Sequence, residues 1–189
     1  MSEKEATESL QERLECILPK LSGGHAYSVK KKANLLYELF LTDKMELYQT
    51  SSGHSLADPR RGFSAFQTDL SIWENIDSKG TKIPKVVLEC KTRLSSHDVM
   101  TYSYKAQKHK EIYPFLRYGL VIFGKQSIPG RFFIHNIGFD FVLALKNMQV
   151  DDKQLKDVIE EQLKMSKCLV ELHFKANDIY YFTTIIKKR

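Results

Sequence analysis

Glu89 and Lys91 stand two residues apart at the end of an apolar run, Lys85-Val86-Val87-Leu88-Glu89-Cys90-Lys91. In a β-strand, alternation sends both charged side chains to one face and Cys90 to the other. Two opposite charges at the tip of a buried strand are costly unless something there uses them. Asp69 lies upstream on a second alternating run. If the two runs pair as a hairpin, Asp69 and Glu89 approach each other, and carboxylates that close repel unless a cation sits between them. Hard oxygen ligands suit Mg²⁺ or Mn²⁺, with the Cys90 carbonyl as a natural third ligand. Lys91 would then stand beside an attacking water or a phosphate, orienting it and offsetting charge as a pentavalent transition state develops. Two plainer explanations compete: an edge strand emerging into solvent with a surface ion pair, and an Asp69 that merely pairs with a nearby lysine or arginine.

Context separates Glu89-Cys90-Lys91 from its look-alikes. Asp77-Ser78-Lys79 falls in a turn and Asp151-Asp152-Lys153 at a helix start, where polar residues cost little. Other chemistries lack their spacing. Gly119 to Lys125 resembles a phosphate-binding loop, but its middle is an apolar strand and Gln126 stands where Ser or Thr must hold Mg²⁺. The histidines at 25, 54, 97, 109, 135 and 173 show no zinc-ligand spacing. Gly62-Phe63-Ser64-Ala65-Phe66 lacks the second glycine of a nucleophile elbow.

The bulk composition is compatible with a metal site in one domain spanning 1–189. The 189 residues are 42% hydrophobic and 28% charged, as in ordinary globular proteins. A net charge of +6 leans toward a polyanionic partner. Cys16, Cys90 and Cys168 are odd in number and far apart, which suits a reducing cytoplasm and argues against a disulfide framework. No apolar run reaches membrane-spanning length and no signal peptide is evident, so no membrane partner is expected.

The elements that must position these residues follow from periodicity. Leu10, Leu14, Ile17 and Leu18 predict a helix over 5–21, started near Thr7 or Ser9. Val29, Ala33, Leu36, Tyr37 and Phe40 predict a second over 28–41. Glu46-Leu47-Tyr48 suggests a short strand. Alternation predicts a strand over 63–73, a turn over 74–81 and a strand over 85–91, hence a hairpin. Ser95-Ser96-His97-Asp98 starts a helix that ends before Pro114. A buried strand over 118–123 follows, then β or mixed segments over 131–135 and 139–145. Asp151 caps a helix that extends through Leu172 or breaks near Ser166, and 179–186 reads as a closing strand.

The set Asp69, hairpin, Glu89-Cys90-Lys91, helix, strand resembles the PD-(D/E)xK nuclease superfamily over roughly residues 27–123, with 124–189 as further elements. The resemblance implies an α/β, restriction-endonuclease-like fold: a central mixed β-sheet flanked by helices on both faces. It implies Mg²⁺-dependent hydrolysis of DNA, with Asp69 and Glu89 as metal ligands and Lys91 as the catalytic lysine. Members often add a glutamate from the helix preceding the hairpin, and Glu38 is the candidate for that place; a glutamate on a surface helix can equally be solvated. The proline of the motif is absent, since Thr68 precedes Asp69, and Cys90 replaces the usual aliphatic residue.

Near such a site Arg60, Arg61, Lys105 and Lys108 would neutralise phosphates, and Gln107 occupies a helix position that some members turn toward the site. A solvated helix face and loop would display the same residues. Tyr102, Tyr104 and Tyr113 could stack on bases or simply pack. A type II restriction endonuclease acting on double-stranded DNA as a homodimer is the reading this favours. A structure-directed repair or junction nuclease, and a nuclease-like binding module without activity, are its rivals.

Overall fold

Ser2 and Glu5 form a capping box that starts the first helix: Glu5 N–H donates to Ser2 Oγ (3.2 Å) and Ser2 N–H to Glu5 Oε2 (2.8 Å). The helix, α1, spans Glu3–Ile17 and buries Ala6, Leu10, Leu14 and Ile17. It begins earlier than expected. Pro19 turns its end into a single 3-10 turn, Leu18–Lys20. The computed structural model describes residues 2–21, 27–41, 43–48, 59–62, 64–77, 80–146 and 152–175.

The helix expected over 28–41 does not form. The segment gives three strands instead: β1 (Tyr27–Lys31), β2 (Asn34–Leu36) and β3 (Phe40–Leu41), the last paired with β4 (Leu47–Tyr48). Lys32 takes a left-handed backbone conformation at φ 54°, which a helix cannot contain, and its N–H donates to the Asp69 carbonyl (3.1 Å). Long-range pairing with a later strand has overridden a helical spacing of apolar residues.

The strand expected over 63–73 is divided. β5 (Ala65–Gln67) pairs with β2, while β6 (Leu70–Asn75) joins the main sheet. β6 pairs antiparallel with β7 (Lys82–Lys91), with Leu70 opposite Leu88 and Ile72 opposite Val86. The expected hairpin is therefore present, with a shorter turn. The helix begun by Ser95 is α2 (Ser96–Ile112); its capping partner is Asp98. It leads to β8 (Arg117–Phe123), parallel to β7. The 131–135 segment is a short helix, α3 (Gly130–His135), followed by β9 (Phe141–Leu145), parallel to β8. A long helix, α4 (Asp152–Lys175), runs unbroken past Ser166. The strand expected over 179–186 lies outside the described residues.

The sheet order is β1-β6-β7-β8-β9, antiparallel up to β7 and parallel beyond it. The fold is thus α/β, a mixed five-stranded sheet flanked by helices. Alternation along β7 divides the core. Val86, Leu88 and Cys90 pack with Leu10, Leu14, Leu155 and Ile159 of α1 and α4. Val87 packs on the other face with Val99, Ala106, Tyr118 and Phe132. α2 is pinned in place by the loop after α3, because Ser103 Oγ accepts from the N–H groups of Ile137 (2.7 Å) and Gly138 (2.6 Å). A Cβ on Gly138 would lie 2.0 Å from the Ser103 carbonyl oxygen, so only glycine allows this approach. Among the described residues no helix is long and apolar enough to cross a membrane.

Candidate metal centre

The break between β5 and β6 places Asp69 beside the C-terminal end of β7. Thr68 fixes the break, donating through both N–H (2.8 Å) and Oγ1 (3.0 Å) to the Ala33 carbonyl. Asp69 Oδ2 accepts from the Cys90 N–H at 2.8 Å. Backbone N–H and C=O of one strand residue point to the same neighbour, so the Cys90 carbonyl faces this side as well. The Cys90 side chain is fully buried toward α1 and α4, and burial pushes its thiol well above the usual range. Cys90 therefore behaves as the small core hydrophobe that its position in the strand implies.

Glu89 points to the α2 face and is 1% exposed. Its Oε1 accepts from Lys105 Nζ (2.6 Å) and from the Tyr118 hydroxyl (2.6 Å). Burial raises the Glu89 pKa, the Lys105 ammonium opposes that rise, and the neighbouring Asp69 charge adds to it. Tyr118 is pushed up in turn, by burial and by the carboxylate it serves.

Lys91 reaches back across the sheet end. Its ammonium lies 3.1 Å from Glu3 Oε1 and 5.0 Å from the centre of the Tyr102 ring. Burial alone would lower its pKa, but Tyr102 and Glu3 outweigh that and hold Lys91 above the usual lysine range. A lysine so held stays charged at neutral pH. It can orient a water and offset developing negative charge, but it is a poor proton acceptor.

The remaining sequence candidates are scattered. Glu38 is not on a helix: it lies exposed between β2 and β3, where its charge acts on Lys108. The helix that precedes the hairpin and reaches the site is α1, and its first residue, Glu3, holds Lys91 and accepts from the Thr92 N–H (3.3 Å). Arg60 and Arg61 are exposed. Lys108 pairs with Glu111 along the outer side of α2, and Gln107 donates to the Ile137 carbonyl (3.3 Å) rather than facing the carboxylates. Lys105 departs from the expected solvated face, since it is drawn onto Glu89 with its side chain only 12% exposed.

The sequence does not single out Glu3 or Tyr118 as contributors, and it offers Tyr102 and Lys105 for other roles. The Ser2–Glu5 capping box was the available signal for Glu3. Tyr102, Lys105 and His109 share one α2 face at spacings of three and four, the signal for an inward-facing polar stripe. His109 completes that stripe, fully buried, with Nε2 3.1 Å from the Leu35 carbonyl. Burial and the Lys105 charge lower its pKa to about 3.

A consequence for pH follows from His109. In the unfolded chain the imidazole titrates near its ordinary value of about 6.5. Between that value and 3 the unfolded state binds the extra proton, so stability falls as pH drops through this window, by at most about 1.4 kcal/mol per pH unit. Urea midpoints at pH 7.5 and pH 5 should therefore fall further apart in the wild type than in His109→Gln. Equal separations in the two proteins would remove His109 as the cause.

Among the described residues no three of His, Cys, Asp and Glu converge as a ready-made metal group. The donor set available is two carboxylates and a main-chain carbonyl. Asp69 uses Oδ2 and Glu89 uses Oε1 for these hydrogen bonds, so Oδ1 and Oε2 are the carboxylate oxygens that would ligate an ion. Mg²⁺ is commonly bound by one or two carboxylates, with waters and substrate phosphate completing its shell, so the residues fit such an ion. No protein-family model matches the chain, and no curated protein matches it.

Proposed function

We propose that this chain is a Mg²⁺-dependent endodeoxyribonuclease of the PD-(D/E)xK type, with Mn²⁺ able to substitute. The observation that carries the proposal is the Asp69 carboxylate seated on the Cys90 N–H, beside Glu89 and within the same strand end as Lys91. The element order supports it: α1, then antiparallel β1, β6 and β7, then α2 and a parallel β8, is the arrangement expected of a restriction-endonuclease-like core.

Asp69, Glu89 and the Cys90 carbonyl would hold the ion, which when bound supplies an acidified water and a polarised phosphoryl oxygen. The chain's own residues do the rest. Lys91 keeps a positive charge at the phosphate, Glu3 fixes where that charge stands, and Tyr118 and Lys105 hold the Glu89 carboxylate in one orientation. Arg60 and Arg61 lie on the surface, and +6 net charge favours a polyanion. We read the biological role as restriction of double-stranded DNA in the cytoplasm, with two copies providing the two cuts.

A nuclease-like binding module is the second reading, favoured by the engagement of Glu89 with Lys105 and Tyr118. Incubation with plasmid, forked and methylated DNA in Mg²⁺ or Mn²⁺ distinguishes the cases. Discrete plasmid fragments are the expected result. Cleavage confined to forks would instead make the chain a junction nuclease, and binding without any cleavage would make it a module.

A further inference from the structure

Lys105 joins the two chain segments that carry the carboxylates. Its ammonium donates to Glu89 Oε1 on β7 and to the carbonyl of Gln67, two residues before Asp69. Its side chain is 12% exposed, and the Tyr102 ring lies 5.5 Å away, with Lys91 at 5.0 Å from the same ring. A cation held between the Asp69-bearing segment and Glu89 does electrostatically what a divalent ion would do there. It balances a buried carboxylate and damps its repulsion from its neighbour.

We propose that the Lys105 ammonium is the resident cation of this site, and that a divalent ion must compete with it for Glu89. Lys105 thereby sets how weakly the protein holds metal in the absence of DNA. The inference rests on the metal-centre reading above, and it assigns to Lys105 a positioning role toward Glu89 in place of a contact with DNA phosphates. Two charges a few ångströms apart in a poorly solvated site interact strongly enough to change an equilibrium by about ten-fold or more. Removing the ammonium should therefore tighten divalent binding.

The test is a titration of free Mn²⁺ by electron paramagnetic resonance, with thermal melts in chelator and in Mn²⁺. It uses the full chain as wild type, Lys105→Met, Lys105→Gln and Lys105→Arg, each with and without Asp69→Asn. Lys105→Met and Lys105→Gln should bind Mn²⁺ about ten-fold tighter than wild type, gain more melting temperature from it, and lose the gain with Asp69→Asn. Lys105→Arg, which keeps the charge, should follow the wild type. Should Lys105→Met fail to fold in chelator, recovery of its fold by Mn²⁺ supports the proposal, and Lys105→Gln decides if it does not recover. Asp69-dependent binding that is equal or weaker in the uncharged variants overturns the role of Lys105 alone. No Asp69-dependent binding in any of the proteins overturns the metal centre and this inference together.

Discussion

Replacing Lys91 by alanine is expected to lower DNA cleavage by about 10²–10³-fold, the scale on which loss of one charge-stabilising group acts at a transition state. Lys91 is held charged by Tyr102 and Glu3, and it stands at the end of the strand that carries Glu89. The variant should remain folded, because Glu3 keeps its bond from the Thr92 N–H and a partly exposed ion pair contributes little. Single-turnover cleavage and a thermal melt on the same preparation check both halves. Full activity in a folded Lys91→Ala protein would remove the lysine from the site. A partial companion effect is expected for Glu3→Gln, which frees Lys91 without deleting it.

The largest effect on stability is expected at Glu89. Glu89→Ala leaves the Lys105 ammonium and the fully buried Tyr118 hydroxyl without their common acceptor. Removing one partner of a buried ion pair costs about 3–5 kcal/mol. For a chain of this size that corresponds to a fall in melting temperature on the order of 10 °C. Adding Lys105→Met to Glu89→Ala should return part of the loss, since the stranded charge is then gone. Circular-dichroism melts of the three proteins measure it. A Glu89→Ala protein that melts with the wild type would mean that the network contributes nothing to stability.

Local signals in the sequence located the carboxylates and their strand well. Val86-Val87-Leu88 could only be a buried run, and Ser95 with Asp98 capped α2 where the structure caps it. The pairing of β6 with β7, and so the meeting of Asp69 with the β7 end, followed from two alternating runs and a turn. The segment after Gly24 misled because its apolar residues happen to recur at helical spacing, while the forces that make it strands are distant. β1 pairs with β6, and Lys32 and Ala33 bond to the residues around Asp69. The misplaced helix is also what made Glu38 attractive. With α1 capped by Ser2, the acidic residue delivered to the site is Glu3, more than sixty residues before the hairpin by sequence yet bonded to Lys91 at its end. Lys105 was illegible for a related reason. A lysine on a helix reads as solvated until the packing of that helix is known, and the packing of α2 depends on Ser103 meeting the loop at Gly138.

The proposed centre joins Asp69, Glu89 and Lys91 in one phosphodiester-cleaving site. Its most direct test is a time course on supercoiled plasmid in Mn²⁺ with wild type and Asp69→Ala side by side, each repeated with chelator. Nicking and linearisation by the wild type are expected, abolished by chelator and absent in a folded Asp69→Ala protein. Equal cleavage by the two proteins would contradict that assignment.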